Sequence, residues 1–282
     1  MAVKIIIDST VDIAEKYSSQ FTVVPLTVSF GDTDYVDGVT INKQEFYRKL
    51  VSAPELPKTS QAAPEAFAKV FRELKKNGEE AVVITVSSCL SGTYQSARIA
   101  AQDYENIRVV DSMNVSIASG VLALYALRCA ENGMGLDELA RHLTEKREEI
   151  GLVAMVDTLE YLKKGGRISG AAAFAGGVLN IKPVLTCRDG VLAVIGKARG
   201  SKKANNLLAE QIRQDNVDFS MPLLLGYTGL SDEMLRQYIQ DSRYLWEGHV
   251  AGLERVQLSS VVGTHAGPGA VVVAYFKSGA VK

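Results

Sequence analysis

The first half of the chain alternates short apolar runs with helical patterns, and this alternation constrains the fold more than any other feature. Residues 4–8, 81–86 and 107–111 are predicted to be buried strands. One helical pattern begins at Pro64, since proline suits the first helical position, and another begins near Gly92. Buried strands that alternate with helices are typical of a mostly parallel sheet with helices on both faces.

The second half is predicted to be an α/β unit with a mixed or antiparallel sheet. Residues 183–187 and 191–197 form an expected hairpin, because Asp-Gly at positions 189 and 190 suits a tight turn. Further strands are expected at residues 223–227, 256–262 and 270–276, and helices near 202–214 and 232–244. An amphipathic helix is expected over residues 137–150, as a bridge between two α/β domains at 1–150 and 151–282.

The balance of charges argues against a nucleic-acid partner. Lys and Arg total 31 and Asp and Glu total 32, so the net charge is −1, whereas nucleic-acid binding normally calls for a basic surface. We expect no secretory leader at the N-terminus. The apolar run at residues 115–126 is too short to cross a bilayer and is read as a core helix. We therefore expect a cytoplasmic protein without stable membrane insertion.

The scarcity of clustered cysteine and histidine argues against a metal site. Cys89, Cys129 and Cys187 form no C-x-x-C pair, and the chain has three histidines. The sequence has no phosphate loop, dinucleotide fingerprint, G-x-S-x-G elbow or H-E-x-x-H motif. We therefore expect neither a metal nor a cofactor.

Small polar residues cluster where strands are expected to end. The four clusters are Asp8-Ser9-Thr10, Thr59-Ser60-Gln61, the segment from Ser87 to Thr93, and Asp111-Ser112. In open parallel sheets, ligands bind beyond the carboxyl ends of the strands, and three of these clusters follow predicted strands. The same residue types also cap helices. Local chemistry leaves both roles open, and Thr59 is then one loop hydroxyl among several.

Ser91 and Gly92 stand out because they fall at the expected start of a helix. Free backbone N–H groups at such a start favour an anion, and glycine lets a ligand approach closely. A hydroxyl and amides can therefore bind a carboxylate without a buried cation. A simple helix-capping role for Ser91 is equally compatible with this pattern.

Two further segments carry candidate functional groups. Residues 263–269, Gly-Thr-His-Ala-Gly-Pro-Gly, are expected to form a glycine-rich turn in which His265 either contacts an anion or is structural. Arg167 and Arg199 lie in basic stretches that either bind a phosphate or an acidic partner, or form solvated loops. The small apolar segment 171–179 is read as core packing or as the lining of a tunnel.

Taken in order along the chain, these motifs resemble the DegV family over residues 3–280. The matching stretches are Asp8-Ser9-Thr10 with Asp12, Lys58 to Gln61, Ser87 to Ala97, Val110 to Ser112, Leu159 to Ile168, Ile181 to Leu185 and Gly263 to Gly269. The resemblance implies a two-domain DegV-like fold that binds one fatty acid such as palmitate, stearate or oleate. One departure is that Ala62-Ala63-Pro64 follows Gln61, where the family often has proline directly after the glutamine.

The resemblance also assigns roles to individual residues. It implies that Thr59 and Ser91 bind the carboxylate, with Ser60, Gly92 and His265 around it. It further implies that a bacterial fatty acid kinase receives the bound lipid and transfers phosphate to its carboxylate, with Arg167 and Arg199 near the docking surface. The chain would then be a carrier with no catalytic residue of its own.

Two alternatives remain open at this point. One is a stand-alone serine hydrolase or phosphotransferase that uses Ser91 and His265. The other is a regulatory protein in which the lipid is only structural.

Overall fold

A computed structural model describes residues 2–168 and 180–279 of the chain. In chain order the elements are β1 Lys4–Asp8, β2 Thr22–Val24, β3 Thr27–Phe30, β4 Thr33–Val36, α1 Lys43–Ser52, β5 Lys58–Ser60, α2 Pro64–Asn77, β6 Ala81–Thr85, α3 Thr93–Ala101, β7 Ile107–Asp111, α4 Ile117–Glu131, α5 Leu136–Lys146, β8 Ile150–Met155, α6 Glu160–Lys164, β9 Ile181–Arg188, β10 Val191–Arg199, α7 Ser201–Asp215, β11 Leu224–Tyr227, α8 Glu233–Asp241, β12 Arg255–Gln257, α9 Ser260–Ala266 and β13 Val271–Phe276. Short 3₁₀ turns connect several of them.

A four-stranded parallel sheet in the order β2-β1-β6-β7 frames the N-terminal half. Side chains alternate along β1, so Ile5 and Ile7 pack on one face and Ile6 on the other. The first face packs against α4, and the second packs against Phe67 and Phe71 of α2. The predicted parallel sheet with helices on both faces is confirmed.

A six-stranded mixed sheet in the order β10-β9-β8-β13-β11-β12 frames the C-terminal half. Its neighbouring strands are antiparallel, except that β11 and β12 run parallel. The predicted hairpin is β9 and β10. Its turn residues Asp189 and Gly190 have φ of 50° and 76°, the left-handed values that a tight hairpin turn requires. The predicted mixed sheet is confirmed.

Helix α4 lies between the two large sheets and joins their cores. It contacts β1 and β6 on one side and β8, β11 and β13 on the other. The helix is apolar on nearly every side, as expected of an element with sheets on both flanks. One continuous cluster of buried residues therefore extends from Ile5 through Val121 to Leu152 and Leu224. The far face of the mixed sheet is covered by α7 and α8.

A small antiparallel sheet, in the order β4-β3-β5, is not predicted from sequence patterns. Its strands have three or four residues each and few buried side chains, so hydrophobic periodicity is weak there. Val28 of β3 is fully buried and pairs with Thr59. Thr59 and Ser60 therefore lie in a strand rather than in a loop.

Two expectations for residues 256–269 are wrong. The strand expected over 256–262 ends at Gln257, and the expected glycine-rich turn is largely the helix α9, which carries His265. The N-terminal end of α9 is stabilised from a distant part of the chain, because the Asp37 carboxylate accepts a hydrogen bond from the Ser260 N–H. Only the residues after the helix form a turn, with positive φ at Gly267.

The segment around residue 150 also differs from its prediction. The expected helix over 137–150 ends at Lys146 in its α-helical part, and Ile150 begins β8 instead. Every residue of β8 is buried, so the strand lacks the alternating pattern of a half-exposed strand. The segment 171–179 lies outside the described residues. Among the helices that the structure describes, none is long and apolar enough to cross a membrane.

Candidate functional site

A cavity of about 370 Å³ lies between the carboxyl ends of β1 and β6 and one face of the mixed sheet. Its volume is typical of small-molecule sites, which are mostly about 300 to 1,000 Å³. Residues of both halves line it, among them Thr10 after β1, Val86 after β6 and Val115 before α4. The cavity therefore lies in the layer that the two sheets share, beyond the N-terminus of α4.

The longer part of the cavity is apolar and is formed by one row of the mixed sheet. Ala154 of β8 pairs with Leu185 of β9 on one side and with Val272 of β13 on the other, and all three side chains line the cavity. Leu152 and Leu192 extend the same surface. A continuous apolar row across neighbouring strands is a surface that suits an extended hydrocarbon chain.

The polar end of the cavity brings together three segments that are distant in sequence. Thr59 comes from β5, Ser91 from the start of α3 and His265 from α9, and all three line the cavity. Thr59 Oγ1 lies 2.8 Å from His265 Nε2. Ser60 and Gly92 line the same end. The structure therefore gathers the five candidate carboxylate-binding residues around one end of one cavity.

Ser91 both contacts the first turn of α3 and faces the cavity. Its Oγ lies 2.9 Å from Thr93 Oγ1 and accepts a hydrogen bond from the Thr93 N–H at 3.3 Å. Gly92 occupies the N-cap position of α3. The helix-capping role and the anion-binding role are therefore compatible at this position, because the hydroxyl keeps further capacity to donate or accept.

His265 is neutral at physiological pH because of its surroundings. Burial, and then the positive charge of Arg167, lower the pKa of its imidazole to about 4. Its Nδ1 is buried beside Gly165, 2.2 Å from where a Cβ atom at that position would lie, and has no hydrogen-bond partner among the described residues. An unpartnered buried acceptor costs less than an unpartnered buried N–H. The favoured tautomer therefore carries its proton on Nε2 and donates it to Thr59 Oγ1, which leaves the Thr59 hydroxyl free to donate into the cavity.

Arg167 lines the polar end but is already engaged with backbone carbonyls. Its Nε donates to Leu90 O at 3.2 Å and its Nη1 donates to Gly165 O at 2.5 Å. A second, outer groove shares Thr59, His265 and Arg167 with the cavity and has Lys58 and Lys164 along its walls. Arg167 is half-buried at the junction of the two spaces.

Arg199 lies apart from the other candidates. It is exposed at the end of β10, where it pairs with Ile181 across the hairpin, and it does not line the cavity. Among the described residues, no group of three or more His, Cys, Asp and Glu side chains is placed to hold a metal ion.

Two residues that help to hold the polar end together, Asp12 and Gln61, lie in stretches that resemble the family, but no sequence pattern assigned either of them a role. Asp12 is buried and accepts hydrogen bonds from the Ser116 hydroxyl at 2.8 Å and from the Ser259 N–H at 2.7 Å. Burial raises its pKa to about 6, against the opposing effect of Lys43. Gln61 lines the cavity and donates to Ser96. The Thr59-Ser60-Gln61 motif drew attention to Gln61, but no local pattern gave it a role.

Comparison with known proteins gives one consistent result. The model of a family described as "Uncharacterised protein, DegV family" matches residues 2–278. A DegV domain-containing protein of Caldanaerobacter subterraneus is 37% identical over 96% of this chain and 97% of its own length.

Solved structures agree with the sequence comparison. A fatty-acid-binding DegV-family protein of Thermus thermophilus superposes with a TM-score of 0.87 at 32% identity, over 98% of this chain and 100% of the other. A stearic acid-binding protein of Eubacterium ventriosum superposes with a TM-score of 0.86 at 29% identity, over 98% of both chains. The fold and the sequence therefore point to the same family.

Proposed function

We propose that this chain, which belongs to the DegV family, binds one long-chain fatty acid. The carboxylate would lie at Thr59 and Ser91, and the acyl chain along the row formed by Leu185, Ala154 and Val272. The observation that carries this proposal is a single cavity that is apolar along one sheet and ends at two hydroxyls and a neutral histidine. Two structurally similar proteins bind fatty acids, which supports the same ligand class here.

The polar end has the chemistry to hold a carboxylate without a dedicated cation. The hydroxyls of Thr59 and Ser91 can each donate one hydrogen bond, and His265 orients the first of them. Hydrogen bonds to a charged acceptor contribute about 1.5–3 kcal/mol each. The nearby guanidinium of Arg167 adds a favourable field while its own hydrogen bonds go to carbonyls.

The apolar part would supply most of the affinity. A sixteen-carbon chain buries about fourteen CH₂ groups at about 0.8 kcal/mol each, so its upper limit is about 11 kcal/mol. Ordering of the chain offsets part of this. The head group then determines the orientation of the ligand more than its retention.

We further propose that the protein is a carrier that presents the carboxylate to a partner fatty acid kinase for acyl-phosphate formation. Ser60 is exposed at the polar end, and the outer groove with Lys58, Lys164 and Arg167 reaches Thr59 and His265 from the outside. These positive charges suit an approaching phosphate donor.

A carrier is better supported than a hydrolase that uses Ser91 and His265. A nucleophilic serine needs its base within hydrogen-bond reach. The described hydrogen bond of His265 goes to Thr59, and that of the Ser91 hydroxyl goes to Thr93. No described carboxylate orients the other nitrogen of His265, since Nδ1 has no partner there.

Mass spectrometry of the denatured protein tests ligand binding directly. We expect one copurified long-chain fatty acid per chain, and uptake of added palmitate or oleate by protein that has been stripped of lipid. Protein that is repeatedly empty and takes up neither acid would overturn the proposal.

Reconstitution with a purified fatty acid kinase and ATP tests the carrier role. Lipid-loaded protein should yield a hydroxylamine-trappable acyl phosphate, and Arg167→Ala should slow its formation. Lipid that stays bound with no acyl phosphate formed would favour a structural lipid instead. Turnover of an ester by the isolated chain, lost in Ser91→Ala, would favour the hydrolase.

A further inference from the structure

We infer that Gln61 is a positioning residue, which clamps the end of β5 onto the first turn of α3 and so sets the spacing of the Thr59 and Ser91 hydroxyls. The inference rests on the proposed function, because that spacing matters only if both hydroxyls bind one carboxylate. It adds a residue that does not itself need to touch the ligand.

The first observation is a hydrogen bond between the two segments. Gln61 Nε2 donates to Ser96 Oγ at 2.8 Å. Ser96 is almost fully buried in α3, so it is a fixed anchor. Thr59 and Gln61 are two residues apart in extended chain, and both face the cavity. The side chain that reaches α3 is therefore tied to the backbone that carries the Thr59 hydroxyl.

The second observation is the packing of Gln61 against Gly92. A Cβ atom at position 92 would lie 2.0 Å from Gln61 Oε1 and 2.8 Å from Gln61 Cδ. Gly92 and Ser96 are four residues apart, and the Ser96 N–H donates to Gly92 O, so both lie on one face of α3. The carboxamide of Gln61 therefore lies across this face and contacts both residues.

The backbone of Gly92 does not by itself require glycine. Its φ of −73° and ψ of 2° are available to residues with side chains. The space that a side chain would need is instead occupied by the carboxamide of Gln61. Glycine at position 92 therefore leaves room for the carboxamide of Gln61, and it also leaves room for a ligand to approach closely.

The consequence for the site is geometric. Ser91 directly precedes Gly92, and Thr59 lies two residues before Gln61. Each of the two hydroxyls is therefore within two residues of the contact between Gln61 and α3. Two hydroxyls donate to the two oxygens of one carboxylate only within a narrow range of separations, since O–H···O hydrogen bonds have lengths of about 2.5–3.0 Å and weaken steeply as their angle bends. Without the clamp, β5 and the start of α3 can separate, and one of the two hydrogen bonds is lost.

A double-mutant cycle tests the clamp. Wild type, Gln61→Ala, Gly92→Ala and the double variant are compared by palmitate dissociation constant and by the NMR shift of palmitate labelled with ¹³C at the carboxyl carbon. We expect each single variant to weaken binding about tenfold, the effect of about one hydrogen bond, and to shift the carboxyl resonance. The methyl of Gly92→Ala displaces the carboxamide, so the double variant should be no weaker than the weaker single variant.

The matched control is Gln95→Ala, which removes an exposed glutamine of the same helix, and it should leave both readouts at the wild-type value. Ser96→Ala is a further variant that removes only the anchor hydroxyl, and it replaces Gly92→Ala in the cycle if that protein does not fold.

Additive losses, of about a hundredfold in the double variant, or an unchanged carboxyl resonance in Gln61→Ala, would overturn the clamp while leaving the proposed function intact. Failure of wild type to bind palmitate would instead overturn the proposed function, and the inference with it.

Discussion

The two ends of the cavity are built in different ways. The apolar end is one face of a regular sheet, where Ala154, Leu185 and Val272 lie side by side on adjacent strands. The polar end is assembled from β5, the start of α3 and α9, and one of its hydrogen bonds joins Thr59 to a residue 206 positions away. The sheet fixes the apolar surface by its own hydrogen bonds, whereas the polar end depends on contacts between elements.

Those contacts can be identified around α9. The Asp12 carboxylate accepts from the Ser259 N–H at 2.7 Å, and the Lys43 ammonium donates to Gln257 O at 2.6 Å. The Tyr47 hydroxyl donates to Leu258 O at 3.1 Å. The N-terminal half thus holds the start of the helix that carries His265. The apolar end should therefore dominate affinity, while the polar end should be the more sensitive to small changes in packing.

Blocking the apolar end should have the largest effect. Ala154→Phe places an aromatic ring in the middle of the apolar row. If the ring excludes about six methylene groups of palmitate from the cavity, about 5 kcal/mol of binding free energy is lost. Palmitate affinity should then fall more than a thousandfold. A titration of lipid-free protein with palmitate measures this.

The control for that variant is Ala193→Phe, which places the same ring on β10 next to Leu192, at a residue that does not line the cavity. It should bind palmitate normally. A loss below tenfold in Ala154→Phe, in a protein with wild-type circular dichroism, would mean that the acyl chain lies elsewhere and that this sheet face does not dominate affinity.

The polar end should show an acid sensitivity that the apolar end lacks. The pKa of His265 is about 4 in the folded protein, below the 6.5 of an ordinary histidine. As the pH falls from about 6.5 to about 4, the unfolded chain therefore takes up a proton that the folded protein does not. The contribution of neutral His265 to the free energy of unfolding is fully present above pH 6.5, and about 3 kcal/mol of this contribution is lost by pH 4.

Urea unfolding at several pH values measures this loss. Between pH 6.5 and pH 4, the His265→Gln variant should lose about 3 kcal/mol less of its free energy of unfolding than wild type. Equal slopes in wild type and His265→Gln between pH 6.5 and pH 4 would show that His265 is not held neutral by burial.

The contrast between the two ends also explains what the sequence could predict. The parallel strands β1, β6 and β7 and the helix at Pro64 have strong apolar runs and clear capping signals, so local patterns identify them. β8 begins at Ile150, which the helix predicted over residues 137–150 takes in. α9 contains Gly263 and is followed by Gly267, Pro268 and Gly269, which are residues typical of a turn. Sequence patterns therefore miss the strand and misread the helix.

The candidate site is harder to predict from the sequence than the fold is. Local chemistry left Thr59 as one hydroxyl among several, because its partner His265 is 206 residues away and no periodic pattern links them. The family resemblance selected Thr59 and Ser91, and both residues line the same end of the cavity. Gln61 remained without a role because its function depends on Gly92 and Ser96, which contact it only in three dimensions.

Loss of a single head-group hydroxyl should have the smallest effect. Thr59→Val keeps the shape of the side chain but removes the donor to the ligand and the acceptor for His265. Palmitate affinity should fall about tenfold, about 1.4 kcal/mol, because one hydrogen bond is lost while the apolar contacts remain. The matched control Thr33→Val, at an exposed position of β4, should bind normally. If Thr59→Val instead lost as much affinity as Ala154→Phe, the head group rather than the chain would dominate binding. Wild-type affinity together with a wild-type carboxyl resonance would place the carboxylate away from Thr59.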